Sequence, residues 1–382
     1  MSFFEKIDNA LLGDVQTLDE EKRWQCIIHA NDFLRTKRIL LHRKIKILDE
    51  YLFIKAFRVE ASRAQLFYLA GLSQVKYLSS VARAAALMHI SKKILGVDES
   101  SVAGKGQTIA FIDTGINRHC DFCLGQNRLI FFKDFISDKS CPYDDNGHGT
   151  FVAGVCSGNG AMSVGKYCGI APQSNIISLK ALDKNGEASA DKILKAMEWI
   201  YDNHKTYGIK VVCMSFGSEP LGMNDPIMSG ADSLWRENIT VVAAAGNSGP
   251  EYQTIKSPGV SGQIITVGGF DDNRGGEDYN ENFFEIAPFS SRGPAFKRFK
   301  PDIVAPAVDI ISCGIKKTYT SLSGTSVATP MIAGLCALLQ EKYPQLTPYE
   351  IKGILCARAK PICFNRNFEG LGYPQIATFL DN

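Results

Sequence analysis

Three short segments contain residue types that could together perform nucleophilic catalysis. Asp113 ends the apolar run at 108–113, His148 lies between two glycines in the segment 145–150, and Ser326 precedes a long apolar stretch. Serine is a weak nucleophile at neutral pH unless a base takes its proton, and a histidine base needs a carboxylate to orient it. The three residues therefore predict a Ser–His–Asp site.

Each of these residues also has an ordinary structural explanation when it is considered alone. Asp113 could cap the turn that begins at Thr114, His148 could be a structural histidine, and Ser326 could be the N-cap of a helix. The glycines beside His148 favour a functional role, because glycine lets a neighbouring chain approach closely. One triad explains all three residues together, with Asp113 as orienting acid, His148 as base and Ser326 as nucleophile.

The segments around the triad residues resemble the signature blocks of the subtilisin-like serine proteases, the subtilase family. The order Asp, His, Ser is that of subtilisin and differs from the order in chymotrypsin-like enzymes and α/β-hydrolases. An α/β-hydrolase would also need the pattern G-x-S-x-G, whereas residues 324–328 read GTSVA. The matching blocks, in chain order, are TIAFIDTGI, DDNGHGTFVAG, VCMSFGS, VVAAAGNSGP, FSSRGP, KPDIVAPAVDI and SLSGTSVATPMIAG.

This resemblance covers roughly residues 90–356, with small departures at Ala307 and Val327, where the family often has Gly and Met. It implies that Asn247, otherwise an ordinary turn residue, donates its side-chain N–H to the oxyanion. Lys256 could lie near the first substrate pocket or be a surface lysine, and no side-chain preference is predicted. The resemblance also implies that an extended peptide pairs with two strand edges, at Ser215, Phe216 and Gly217 and at Ala244, Ala245 and Gly246.

Calcium binding is common in this family, and the resemblance places Asp121 at the position of a metal ligand. Residues 157–165 could form the accompanying loop. They include Asn159 but no acidic residue, so the other ligands would be mainly carbonyl oxygens. The reaction itself requires no cofactor. A structural calcium ion at Asp121 is therefore an expectation.

Apolar runs that alternate with helical stretches predict the fold class of the larger part of the chain. Such an alternation implies an α/β fold, a subtilisin-like parallel sheet flanked by helices on both faces. The working groups of such a sheet gather at the carboxyl ends of its strands. Strands are predicted at 108–113, 176–179, 211–214, 240–245 and 264–267, and helices at 188–204, 231–237 and 326–339.

Residues 1–87 predict a small α+β domain of their own, which precedes a peptidase domain over residues 88–382. It resembles the family propeptide, an intramolecular chaperone and inhibitor, although the first strand expected of a propeptide is weak. A self-processing zymogen that is cut between about Ala84 and Met88 is expected. The pattern indicates a helix over 17–40, two strands within 44–61 that separate near 49–50, a helix at 63–70, a strand at 75–78 and a linker at 82–87.

The composition argues against several classes of partner. With 42 basic and 40 acidic residues the net charge is +2, so neither nucleic acid nor an anionic membrane is predicted as a main partner. No apolar run approaches the roughly 20 residues that span a bilayer. The predicted partners are protein or peptide substrates and the chain's own propeptide. Eleven cysteines without regular spacing, and an N-terminus unlike a secretory signal, favour a cytoplasmic or spore-associated protein.

Two other functions use the same residues. A pseudoprotease would keep the fold as a regulatory binding module, and an esterase would use the same triad on substrates that are not peptides. All four predicted catalytic positions are filled by the residue types that the reaction needs, which favours a serine endopeptidase.

Overall fold

The computed structural model describes residues 6–7, 23–80, 88–98, 100–274, 279–316 and 318–380. It divides the chain into two compact units, Met1–Ala84 and Ala85–Asn382. Residues 81–87 are not among the described residues. The linker predicted over residues 82–87 lies in this segment, and so does the cleavage expected between about Ala84 and Met88, up to residue 87.

The first unit is a four-stranded antiparallel sheet with two helices. Its strand order is β2-β3-β1-β4. The residues that cap its two helices are Asp32, which precedes the first, and Ser62, which precedes the second and forms a capping box with Gln65. Its own core includes Ile28, Phe57 and other apolar residues. The elements are β1 (Arg23–Ala30), α1 (Phe33–His42), β2 (Lys46–Tyr51), β3 (Ala56–Ser62), α2 (Arg63–Ala70) and β4 (Val75–Ser80).

The helix predicted over residues 17–40 is wrong for most of its described part. Residues Arg23–Ala30 form strand β1, and the helix begins only at Phe33. Alternate residues of β1 are buried, because successive side chains point to opposite faces of the sheet and one face packs on the core of this unit; the strand pairs with β3 on one side and β4 on the other. The two strands expected within 44–61 are confirmed, but the turn Leu52–Ile54 separates them rather than residues 49–50. The helix at 63–70 and the strand near 75–78 are also confirmed.

The second unit is built on an eight-stranded sheet in the order β11-β10-β9-β8-β5-β7-β6, with β12 paired to β10. All its pairs are parallel except β10 with β11. Each strand predicted in this unit is present. The strands are β5 (Thr108–Asp113), β6 (Leu129–Asp134), β7 (Asn175–Lys180), β8 (Ile209–Met214), β9 (Thr240–Ala244), β10 (Ile265–Asp271), β11 (Glu285–Ile286) and β12 (Ile303–Pro306).

Helices cover both faces of this sheet, which confirms the predicted fold class. Helices α5 and α8 pack against each other, and α6 packs against α7. Two hairpins, β13–β14 (Ile310–Gly314, Thr318–Leu322) and β15–β16 (Ala359–Lys360, Tyr373–Pro374), lie outside the main sheet. The helices are α3 (Met88–Ile94), α4 (Cys120–Cys123), α5 (His148–Ser157), α6 (Ala190–Tyr207), α7 (Pro226–Arg236), α8 (Thr325–Lys342), α9 (Pro348–Ala357), α10 (Arg366–Glu369) and α11 (Ala377–Leu380).

Helix α8 is almost entirely buried, so the core of this unit lies around it and the central strands. Strand β5 is buried at all six positions, as expected for a parallel strand with neighbours on both sides. Within the described ranges, no helix combines the length and the apolar character that crossing a bilayer requires.

Candidate active site

The candidate site lies where strand β5 ends and where helices α5 and α8 begin. Asp113 is the last residue of β5, His148 is the first of α5, and Ser326 is the second of α8. The sheet fixes the acid, and the two packed helices carry the other two groups. Three segments that are far apart in sequence therefore supply the three predicted catalytic residues.

Asp113 and His148 form a direct pair. His148 Nδ1 lies 2.8 Å from Asp113 Oδ1, which also accepts a hydrogen bond of 2.7 Å from the backbone N–H of Thr114. The Asp113 side chain is 2% exposed, whereas the His148 side chain is 25% exposed. Because a carboxylate oxygen accepts this hydrogen bond, Nδ1 donates it, and in the neutral imidazole the lone pair is therefore on Nε2. This tautomer is the one that a general base requires.

The surroundings favour the charged form of His148. Burial lowers the pKa of this imidazole, but the Asp113 charge, its hydrogen bond and the charge of Asp144 together raise it above the ordinary histidine value. The carboxylates therefore outweigh desolvation. The site is arranged to stabilise the imidazolium that forms when the base takes a proton.

Asp144 organises the start of α5, and the sequence analysis missed this role. Its Oδ1 accepts hydrogen bonds from Thr114 Oγ1 and from the backbone N–H groups of Asn146 and Gly147, at 2.7–3.1 Å. Its Oδ2 accepts from the N–H and hydroxyl of Thr150, at 2.9 and 2.7 Å. An acid four residues before His148, at the start of a helix, is the sequence signal that could have revealed it.

Lys180 is a second supporting residue that the sequence analysis missed. This fully buried lysine ends strand β7 and donates to the carbonyl oxygens of Thr114 and Leu182, at 2.6 and 3.0 Å. It also donates to Asp145 Oδ1 at 2.7 Å. Lys180 thus fixes the turn after Asp113 to the segment that precedes His148. Its only sequence signal is a charge at the end of an apolar strand.

The predicted need for glycine beside His148 has a structural cause at Gly149. A Cβ added there would overlap the carbonyl oxygen of Gly115 and come within 3.2 Å of Asp113 Oδ1. The helix start can approach the end of β5 only because position 149 has no side chain.

The Ser326 hydroxyl and the Asn247 amide both lie next to Gly324. A Cβ added at Gly324 would lie 3.2 Å from Ser326 Oγ and 3.1 Å from Asn247 Nδ2. Asn247 Oδ1 accepts from the backbone N–H and from the hydroxyl of Thr325, each at 2.9 Å. The amide is therefore oriented with its oxygen toward Thr325 and its donor nitrogen toward the space beside Ser326.

Within the predicted triad, as far as the described residues show, His148 is hydrogen-bonded to Asp113 but not to Ser326. Among the hydrogen bonds of the described residues, none joins Ser326 to the His148 ring. Both side chains are partly exposed and lie on helices that pack together. Catalytic hydrogen bonds are often long in the absence of substrate and tighten when it binds.

Comparison with known proteins decides the family. Residues 104–373 match the family model described as the subtilase family, which is well over half of the chain. The chain belongs to the subtilase family. This confirms the family that the sequence motifs predicted, a family that includes named serine proteases.

Relatives of this subtilase include proteases of known name. It is 40% identical over 277 residues to serine protease AprX of Bacillus subtilis (strain 168), a match that covers 67% of this chain and 61% of that protein. It is 33% identical over 266 residues to subtilisin DY of Bacillus licheniformis, covering 69% and 87% of the two chains. The solved structure of sphericase has a TM-score of 0.64 and 27% identity, and covers 75% of this chain and 97% of that one.

The segments predicted to bind substrate lie at the ends of neighbouring strands of the subtilase sheet. Residues 215–217 follow β8, and Ala244 ends β9. In the second segment the Ala245 N–H donates to Val267 O, and the Gly246 N–H donates to Thr325 Oγ1. These two backbone N–H groups are therefore used in hydrogen bonds within the protein. In the first segment, Gly217 is exposed to solvent.

The surroundings of Asp121 do not fit the calcium ion that the resemblance suggested. Asp121 is fully buried, and its Oδ1 and Oδ2 accept from Met162 N–H at 3.0 Å and from the Tyr319 hydroxyl at 2.7 Å. Ligand atoms of His119 and Cys313 lie within 4.8 Å of its carboxylate. Calcium takes six to eight oxygen ligands, whereas these neighbours are hydrogen-bond donors, a nitrogen and a sulfur. Asp121 is better explained as a structural acid that hydrogen bonds satisfy.

Proposed function

We propose that this subtilase is a serine endopeptidase that hydrolyses peptide bonds through an acyl-enzyme on Ser326. The observation that supports it most is the 2.8 Å contact between His148 Nδ1 and the buried Asp113 carboxylate. Among the described residues no hydrogen bond involves His148 Nε2, and Ser326 lies partly exposed on the helix that packs against α5, which supports His148 as the base for Ser326. The chain spans 61% of the length of its AprX relative.

The reaction begins when His148 Nε2 takes the proton of Ser326 Oγ and Oγ bonds to the substrate carbonyl carbon. The carbonyl electron pair moves to its oxygen, where Asn247 Nδ2–H and the Ser326 backbone N–H donate to it. Asp113 stabilises the imidazolium, which then gives its proton to the departing amine as the C–N bond breaks. Water then adds to the acyl carbon while His148 takes its proton. The bond from that carbon to Ser326 Oγ breaks, His148 returns the proton to Oγ, and the acid is released.

Labelling with a fluorophosphonate tests the proposal. We expect covalent modification of Ser326 in the processed protein, and its loss in Ser326→Ala and His148→Ala. Asn247→Leu should lower kcat about 10²–10³-fold, the size measured in subtilisin itself for the loss of its oxyanion-hole asparagine. A folded protein with an inert Ser326 would contradict the proposal and favour a regulatory binding module. Cleavage of short esters with no cleavage of peptides of several residues would instead favour an esterase.

The predicted zymogen is part of this proposal. The unit Met1–Ala84 has its own core and a βαββαβ order of elements, which supports its assignment as a propeptide that assists folding and inhibits the enzyme. The intact mass of the purified wild-type protein should lack the first 80-odd residues, whereas Ser326→Ala should remain full length. A wild-type mass that shows no such loss would contradict self-processing.

A further inference from the structure

Lys256 lies between the two segments that follow strands β8 and β9. A Cβ added at Gly217 would come within 2.6 Å of Lys256 Cβ, and one added at Gly246 would come within 2.5 Å of Lys256 Cγ. The lysine stem thus occupies the space that side chains at both positions would need. Only glycine at 217 and 246 admits it.

The backbone holds this lysine in place on both sides. The Lys256 N–H donates to Ala245 O at 2.9 Å. The next residue, Ser257, exchanges two backbone hydrogen bonds with Ser218, at 2.9 and 3.0 Å. Lys256 is therefore part of a short ladder that joins the two segments, and its stem has little freedom to leave.

The lysine stem packs against the segment that carries the proposed oxyanion donor. Gly246, which contacts the lysine stem, immediately precedes Asn247, and the Asn247 amide lies beside Ser326. A substrate carbonyl whose carbon reacts with Ser326 Oγ and whose oxygen faces the Asn247 amide brings the side chain of its own residue toward the segment that Lys256 packs against. The residue before the scissile bond is then the one that meets Lys256.

The ammonium group of Lys256 has an exchangeable partner. It forms an ion pair with Glu219, whose side chain is 80% exposed, whereas the Lys256 side chain is 17% exposed. Because Glu219 is mostly exposed, solvent screens this ion pair, and ordering the glutamate side chain offsets part of the attraction. A carboxylate brought by the substrate can replace Glu219 without leaving the lysine charge unpaired, whereas a basic side chain would meet a fixed positive charge.

We propose that Lys256 is a specificity-determining residue that selects peptide substrates with Asp or Glu before the scissile bond. This inference rests on the proposed endopeptidase function, whose substrate class it narrows. The lysine acts on substrate choice and takes no part in the bond-making steps. Opposite charges across an interface favour one partner, and a like charge disfavours another.

The test is a set of peptides that are identical except for Glu, Gln, Leu or Lys before the scissile bond. For the wild-type protein we expect kcat/KM for Glu to exceed that for Gln by about tenfold, which corresponds to about 1.4 kcal/mol. Lys256→Met should bring this ratio close to one while the Leu peptide is still cleaved, which shows that the variant is folded. Glu219→Gln should raise the ratio, because the competing carboxylate is gone. Lys210→Ala, an exposed lysine of β8, serves as a matched control and should leave the ratio unchanged.

Three results would overturn the inference. They are equal cleavage of the Glu and Gln peptides by the wild type, a Glu preference that survives Lys256→Met, and a preference for Lys that Glu219→Gln abolishes. In each case peptides are cleaved, so the proposed function stands. If no peptide is cleaved and the fluorophosphonate does not label Ser326, the proposed function has failed, and the inference that rests on it falls with it.

Discussion

Thr325 donates two hydrogen bonds of 2.9 Å to Asn247 Oδ1, one from its backbone N–H and one from its hydroxyl. The same hydroxyl accepts from the Gly246 N–H at 3.2 Å. The residue before the nucleophile thus ties the proposed oxyanion donor to the helix that carries Ser326. Removal of the hydroxyl should loosen the donor without touching any reacting atom.

Thr325→Val tests this relationship, because it keeps the shape and the N–H and removes only the hydroxyl. A neutral hydrogen bond contributes about 0.5–1.5 kcal/mol, and about 1.4 kcal/mol corresponds to a factor of ten in rate. We therefore expect kcat to fall roughly two- to tenfold, with KM little changed. Steady-state kinetics on one peptide measures both constants. Thr325→Ser restores the hydroxyl and should recover most of the loss. A Thr325→Val protein with wild-type kcat would mean that the backbone N–H alone orients Asn247.

Asp144→Asn should move the acid limb of the pH profile. His148 must be neutral to act as a base, and the nearby carboxylates, Asp144 among them, raise its pKa. Loss of one negative charge makes the imidazolium less favourable, so the pKa of His148 falls and activity persists to lower pH. The measurement is kcat/KM against pH, with the exposed Asp202→Asn as a matched control. An acid limb that stays in place or moves to higher pH would show that Asp144 acts only as a helix cap.

The sequence predicted the parts of the site that depend on patterns of neighbouring residues. Asp113 follows from an apolar strand that ends in an acid, and the glycines around His148 do mark a close approach, at Gly115. What the sequence did not predict depends on contacts between distant segments. The hydrogen bonds of Asp144 and the burial of Lys180 have no local pattern beyond one charged residue. For Lys256 the sequence left two positions open, and only its contacts with Gly217 and Gly246 place it between those two segments.

The misread helix in the first unit has a related cause. Trp24, Ile27, Ile28 and Leu34 fit a helical spacing, but the buried set in β1 is Trp24, Cys26, Ile28 and Ala30, which has a period of two. Cys and Ala are weak markers of a buried strand face, so the alternation was hidden. Pairing with β3 and β4 decided the structure, and that pairing is not local information.

Tyr319→Phe tests whether Asp121 is a structural acid or a calcium ligand. Burial, together with the Asp121 carboxylate, raises the pKa of the Tyr319 phenol, which therefore stays protonated and donates to Asp121 Oδ2. Its loss should lower the free energy of unfolding by about 1–3 kcal/mol, because the buried Oδ2 of Asp121 loses its hydroxyl donor and keeps only the weaker Cys313 thiol, at 3.6 Å. Urea denaturation measures this. Tyr167→Phe, whose ring lies 4.6 Å from that of Tyr319, controls for the ring packing.

If Asp121 binds no calcium, added calcium should leave the urea denaturation midpoint of the wild-type protein unchanged. A stabilisation by calcium that Asp121→Asn abolishes would show that the ion displaces the Tyr319 and Met162 donors, and would restore the expectation drawn from the family resemblance.

Gly149→Ala should damage the site and the fold together. The added methyl group would overlap Gly115 O and press on Asp113, so helix α5 must move away from β5 and the contact between His148 and Asp113 must lengthen. Overpacking of this kind costs about 1–3 kcal/mol of stability. Gly353→Ala in helix α9 is the matched control, since a Cβ there meets nothing within 4 Å and should stabilise the protein by about 0.5–1 kcal/mol. Denaturation midpoints and kcat/KM, measured on both variants, separate the two effects. If Gly149→Ala kept the wild-type kcat/KM, the close approach of α5 to the end of β5 would not be what aligns the base with its acid.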